Sequence, residues 1–244
     1  MKKQDKSIKD FWNKEYAQGE EGEHFALSDA PGKDFVKFVE WLEKMDGKGV
    51  INKETFWLDA GCGNGRHGLY LYEEYGAGGL GYDLSSQAVN QANKKAASLT
   101  SKSSPKGEGG EVRFVVQNIN EPIDLPDESV DLIIDAMASH VLHADEHEKF
   151  LEECNRVLNY KGYIFLKTFL LDDDDYARDL VKKFGTGEEG GYLHPKINIF
   201  ERVLSEKRLV EIYSKYFNIE KIERSHFHRE KGKRRYIVLY LRKV

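Results

Sequence analysis

Cysteine is scarce in this chain. Only Cys62 and Cys154 occur among its 244 residues, with no CxxC pair and no disulfide-style spacing. That excludes a disulfide-framed scaffold and fits a reducing, cytoplasmic setting. Long apolar runs are missing too: no stretch approaches the roughly 20 residues that a membrane span requires. Met1 to Lys9 is polar with no apolar run behind it, so no signal peptide is expected. A concentrated basic face is also absent. Net charge is -5, the basic residues are scattered, and Arg229 to Arg235 is the one short cluster. This argues against a nucleic-acid partner, because phosphate binding needs a dense positive surface. No internal repeat is visible. Hydrophobic residues at 40% and charged residues at 32% are those of an ordinary soluble protein with a highly charged surface.

What is present is an alternation of strands and helices. Ile8, Phe11, Trp12 and Tyr16 recur at helical spacing, and Phe35 to Leu42 predicts a second helix. Apolar runs at Thr55–Asp59, Gly79–Asp83, Val112–Gln117, Val130–Ala136 and Gly162–Phe169 predict five strands. Helices are expected between them over about 66–75, 85–99 (Ser85 or Ser86 as N-cap) and 145–158, the last stopped at Asn159-Tyr160-Lys161-Gly162. Residues 18–31 and 100–111 read as loops, and 170–196 as irregular. A helix over 205–217 precedes two closing strands, 218–228 and 234–242. Crossover connections imply a parallel sheet covered on both faces. The short link Arg229–Lys233 forces an antiparallel pair at the end. The expected fold is therefore α/β and doubly wound. Its seven-stranded sheet is mostly parallel, with an antiparallel C-terminal hairpin strand. Residues 1–244 form one domain, with 1–50 as a helical cover and 51–244 as the core.

Ligands in such sheets bind beyond the carboxyl ends of the strands. The first strand ends at Asp59, followed by Gly61, Gly63 and Gly65, and the second ends at Asp83. Glycines let the chain turn sharply and let a ligand approach with no Cβ in the way. Asp83 suits both hydroxyls of a ribose. Gly63-x-Gly65-x-x-Gly68 also satisfies the dinucleotide fingerprint, so the loop alone leaves a nicotinamide-dependent oxidoreductase open. Asp59 weighs against it, since a carboxylate there suits a cationic ammonium group and opposes a pyrophosphate.

Leu58-Asp59-Ala60-Gly61-Cys62-Gly63-Asn64-Gly65-Arg66 resembles the first motif of class I S-adenosylmethionine-dependent methyltransferases. Gly81-Tyr82-Asp83-Leu84-Ser85 is similar to their second motif, and Asp131-Leu132-Ile133-Ile134 to their fourth-strand motif. Arg156-Val157-Leu158 with Lys161-Gly162-Tyr163 is similar as well, and Phe11-Trp12-Asn13-Lys14-Glu15-Tyr16 resembles the entrance segment of many small-molecule members. The resemblance implies a Rossmann-like fold with S-adenosylmethionine as cofactor. Asp59, Gly61, Cys62 and Gly63 would then hold the amino-acid end and Asp83 the ribose. Leu84 would pack on the adenine, Asn118 and Ile119 would flank it, and Trp12 and Tyr16 would cover the site. Asn118 stands where many members carry Asp, and still offers a hydrogen bond to the adenine amino group.

The acceptor is expected near the end of the fourth strand, where His140 and His143 are candidates for a general base or a positioning group. Their ordinary alternative is a cap on a loop or helix. Asp135-Ala136-Met137-Ala138 stands where an Asn-Pro-Pro-Tyr-type tetrapeptide would mark methylation of DNA bases or glutamine. A small-molecule acceptor is expected, with no membrane partner and no metal. His143 and His147 have helical ligand spacing but no third ligand in the sequence. His226 and His228 share a strand face. Asp172 to Asp175 reads as a solvated loop, Phe184 to Pro195 as a substrate lid or a plain connection, and Cys62 as a small apolar side chain. A non-catalytic cofactor-binding module is the second rival reading. The attacking atom and the oligomeric state leave no signal in the sequence.

Overall fold

The computed structural model describes residues 3–17, 28–101, 109–225 and 234–244. Outside them lie the link Arg229–Lys233, the pair His226 and His228, and most of the expected loops over 18–31 and 100–111. One seven-stranded sheet has the order β3-β2-β1-β4-β5-β9-β8. Its strands are β1 (Phe56–Ala60), β2 (Gly78–Asp83), β3 (Val112–Val116), β4 (Val130–Ala136), β5 (Leu158–Phe169), β8 (Asn218–Arg224) and β9 (Tyr236–Arg242). β1 pairs with β2 and β2 with β3 in parallel; β9 runs antiparallel to both β5 and β8. This is the mostly parallel α/β sheet with a reversed closing strand that the alternating pattern implied. Among the described residues no helix is long and apolar enough to cross a membrane.

The chain divides into two compact units, Met1–Ile119 with Ser129–Ile134 and Asn120–Glu128 with Asp135–Val244. In the first, α1 (Lys3–Ala17), α2 (Lys33–Asp46), α3 (Arg66–Tyr75) and α4 (Ser86–Ser101) accompany β1, β2 and β3. Trp57 of β1 is fully buried and donates from its indole to the Ala77 carbonyl at 3.0 Å. Gly79 of β2 lies in register with it, and a Cβ at Gly79 would stand 2.2 Å from the Trp57 carbonyl and 2.3 Å from its ring. The glycine-rich run of β2 is thus the counterpart of one large side chain on β1. Ser85 is the N-cap of α4, its hydroxyl accepting from Ala88 N–H at 3.2 Å.

In the second unit, α5 (Ala144–Val157) passes into β5 without a loop, since Leu158 is already extended. The expected stop at Asn159–Gly162 is therefore part of the strand, and Lys161, not Gly162, takes the left-handed conformation (φ 66). The stretch read as irregular holds α6 (Asp175–Phe184) and β6 (Gly191–Leu193), which pairs with β7 (Phe200–Arg202). α7 (Glu206–Tyr213) follows. Ala177, Leu180, Tyr192 and Val203 form a buried cluster there, to which Tyr192 alone of residues 184–195 belongs, while Phe184 to Gly187 are exposed. The acidic run divides as well. Asp172, Asp173 and Asp175 are exposed, whereas Asp174 is buried as the N-cap of α6, accepting from Ala177 N–H at 2.8 Å and Arg235 N–H at 2.8 Å.

Because no side chain fits between β2 and Trp57, Gly79→Ala is expected to destabilise the protein by about 1–3 kcal/mol through overpacking. Urea unfolding checks this; an unchanged midpoint would show that the Trp57–Gly79 packing does not constrain the fold.

Candidate functional site

In the first unit β1 and β2 end side by side, which brings their two terminal acids to one place. Asp59 is almost fully buried at 1% exposure. Gly61, Gly63 and Gly65 all have left-handed backbones, with φ of 72, 54 and 79 degrees. The N–H groups of Gly61 and Cys62 both donate to the Tyr82 carbonyl, at 2.8 and 3.0 Å, which ties the loop to the tip of β2. Asp83 completes the tie. Its Oδ2 accepts from Gly63 N–H at 2.9 Å and its Oδ1 from Ser85 N–H at 2.8 Å. Burial pushes the Asp83 carboxyl above its ordinary range, and these two donors oppose the shift.

Tyr16 lies over this loop. A Cβ on Gly63 would stand 2.3 Å from the Tyr16 hydroxyl, so the bare backbone is what lets the ring approach. Tyr16 is buried, and burial together with Asp83 holds its phenol protonated. Trp12 is half-buried beside it, with ring centroids 6.3 Å apart. α1 is fastened by Asn13, whose Oδ1 accepts from the Ser85 hydroxyl (2.9 Å), the Ser86 hydroxyl (3.3 Å) and Gln87 N–H (3.3 Å). Leu84 and Asn118 are half-buried and Ile119 is buried. Cys62 is buried, its thiol pushed up by burial, as befits a packing side chain. The loop offers a carboxylate at each strand end and a Cβ-free surface between them. That cradle suits a ligand with a cationic group and vicinal hydroxyls.

The second unit holds a separate small cavity lined by Ser139, His140, His147, Thr168, Arg202, Leu204, Leu209 and Tyr213. The turn leading to it follows Asp135, which is not on the lining and whose Oδ1 accepts from the N–H groups of Ala138 (3.2 Å) and Ser139 (3.1 Å). Met137 between them takes a left-handed backbone (φ 68), a strained turn that carries Ser139 and His140 round. His140 is half-buried; among the described residues its Nδ1, itself out of solvent, has no hydrogen-bond partner. Desolvation lowers its pKa, with Glu201 opposing the shift and Arg234 adding to it, so the ring is neutral near pH 7. His143 is the N-cap residue of α5. Its Nδ1 meets Glu188 Oε2 at 2.9 Å and its ring stacks on Phe200. His147 instead meets the Tyr213 hydroxyl at 3.0 Å and is pushed down to about 3 by burial. The two histidines at ligand spacing are thus committed to different partners.

The methyltransferase domain family matches residues 58–162. Residues 58–162, which hold the glycine loop and both strand-end acids, are thus similar to a methyltransferase domain. It is 28% identical over 197 residues to a glycine/sarcosine/dimethylglycine N-methyltransferase of Actinopolyspora halophila, covering 77% of this chain and 32% of that one. It is 25% identical over 187 residues to a phosphoethanolamine N-methyltransferase of Plasmodium falciparum (isolate 3D7), covering 71% and 66%. The chain thus spans about a third and just under two thirds of the length of these relatives. Among solved structures, a Methanosarcina mazei methyltransferase has TM-score 0.67 at 23% identity, covering 80% of this chain and 95% of that one. A Burkholderia thailandensis 1,6-didemethyltoxoflavin-N1-methyltransferase, solved with S-adenosylhomocysteine, has TM-score 0.65 at 20% identity, covering 98% and 88%. These structures share the methyltransferase fold.

In the first unit the structure gathers Asp59, Gly61, Cys62, Gly63, Asp83 and Tyr16 around one loop. It places His140 and His143 in the other unit with different surroundings. Sequence reasoning missed Asn13 as an anchor, although it sits inside the quoted entrance segment. It missed Arg202, Tyr213 and Thr168 because no local pattern marks them.

Asp135 gives a pH prediction. Burial pushes its carboxyl up to about 6, so the neutral acid is the form the fold prefers. Its stabilising contribution is full below the unfolded value, near pH 4, and is lost as pH rises through about 6. Asp135→Asn should therefore match the wild type in Tm near pH 4 and exceed it at about pH 8. Equal Tm values at both would show that the carboxyl is not held neutral.

Proposed function

We propose that the chain transfers a methyl group from S-adenosylmethionine to a small-molecule acceptor, with residues 1–244 acting as one methyltransferase domain. The observation that carries this reading is the pair of strand-end acids, Asp59 and Asp83, around a left-handed glycine loop. Two carboxylates make that loop negative, which favours a cationic donor with ribose hydroxyls and disfavours the pyrophosphate of a dinucleotide. Bound there, S-adenosylmethionine supplies a methyl group already activated on a sulfonium. Asp59, Gly61, Cys62 and Gly63 hold its amino-acid end, Asp83 the ribose, and Leu84, Asn118 and Ile119 the adenine. Tyr16 and Trp12 cover the loop and exclude water. Asn13 fixes the angle of that cover.

The remaining work is to align the nucleophile and, for a protonated acceptor, to remove a proton. Of the two candidate histidines, His140 fits the second task better. It is neutral, lines the cavity and has an imidazole nitrogen unengaged among the described residues. His143 is held by Glu188, which suits a supporting role. The acidic overall charge and the relatives named for small amines support a small-molecule acceptor over a nucleic acid.

Isothermal titration with S-adenosylmethionine should show Asp83→Ala raising Kd by about tenfold or more, since a charged partner of two hydroxyls is lost. An unchanged Kd would remove the ribose assignment.

A further inference from the structure

The cavity of the second unit has an unusual charge balance. Its lining contains one formal cation, Arg202, and no aspartate or glutamate. Arg202 is only 7% exposed. Its nearest carboxylate, Glu188 Oε1, stands 3.8 Å from Nε, beyond hydrogen-bond reach. Among the described residues that buried Nε has no hydrogen-bond partner. Glu188 is already engaged, accepting from Ala144 N–H at 2.6 Å and meeting His143 Nδ1 at 2.9 Å. A desolvated guanidinium that lacks close hydrogen bonds to a carboxylate is costly to keep. The other polar groups on the lining suit an anion too. Ser139, Thr168 and Tyr213 bring hydroxyls, and His140 and His147 are neutral rings that contribute no second cation. A cationic head group entering here would meet Arg202 with no carboxylate on the lining to receive it. A carboxylate or phosphate would meet a planar fork of donors built for two oxygens.

We propose that this cavity is an anion subsite, in which Arg202 takes the carboxylate or phosphate group of the methyl acceptor. The acceptor class is then a small anionic metabolite. This assignment of the acceptor rests on the methyl-transfer reading; the anion site itself does not.

The test uses the full chain without cofactor, titrated with sodium acetate and with inorganic phosphate in chloride-free buffer and followed by calorimetry. Wild type should bind at least one of the two anions. Arg202→Met should weaken that binding about tenfold or more, and Arg202→Lys, which keeps the charge but loses the fork, should fall between. Thermal unfolding and S-adenosylmethionine affinity, unchanged in both variants, establish that the fold is intact; if Arg202→Met does not fold, Arg202→Lys decides. Matched acceptors extend the test to catalysis: amino acids against their amides, and aminoalkyl phosphates against their amino alcohols. The charged member of each pair should be methylated with the lower KM, and Arg202→Lys should erase that preference. Wild type binding neither anion, or an Arg202 variant binding both as wild type does, overturns the subsite. Equal turnover of charged and neutral members overturns its role in acceptor choice. Loss of the methyl-transfer reading would show differently, as no S-adenosylmethionine binding in a chain that still binds the anion.

Discussion

The first unit depends on the two oxygens of Asp83. One accepts from Gly63 N–H and the other from Ser85 N–H, so a single carboxylate fixes both the glycine loop after β1 and the start of α4. The Tyr82 carbonyl, accepting from Gly61 and Cys62 N–H, and the Ser85 hydroxyl, accepting from Ala88 N–H, reinforce the two segments. The loop carries left-handed glycines that an unconstrained chain would sample freely. The helix start takes its remaining cap from Asn13 on α1. The covering helix, the glycine loop and the second strand are therefore coupled through one side chain. The cover packs where it does because Gly63 leaves room for the Tyr16 hydroxyl.

The second unit solves a different problem, keeping polar groups out of water around a cavity. Asp135, Tyr213 and His147 are buried and His140 is half-buried, and in each desolvation disfavours the charged form. On the cavity lining itself Arg202 is the one formal charge. The same pattern recurs nearby with opposite balance. Glu201, Tyr192 and Arg234 bond to one another, and the Arg234 guanidinium lies 3.7 Å from the centroid of the Phe169 ring, so that cation has a carboxylate within hydrogen-bond reach, whereas Glu188 stands 3.8 Å from Arg202 Nε. An internal contrast of this kind is what makes the Arg202 environment informative.

The first unit was legible in the sequence to a large extent, for physical reasons. Glycines at 61, 63 and 65 and acids at 59 and 83 mark strand ends and tight turns through purely local constraints, and the helix expected over 66–75 is α3 itself. The second unit was less legible. Asp174 looked like one of four solvated acids, yet its role as a buried cap depends on Arg235, 61 residues away. Arg202 sits in a three-residue strand whose pairing and burial come from long-range contacts that leave no periodicity. The start of β5 was misplaced because Gly162 resembles a helix terminator, whereas Leu158 turns straight into the strand and Lys161 takes the left-handed turn.

The central claim is that the glycine loop with its two acids holds a sulfonium donor and not a dinucleotide. Calorimetric titration of the unmodified chain with S-adenosylmethionine, S-adenosylhomocysteine and NAD tests it most directly. The account predicts saturable binding of the first two at one site per chain and none of NAD. Binding of NAD alone would contradict it.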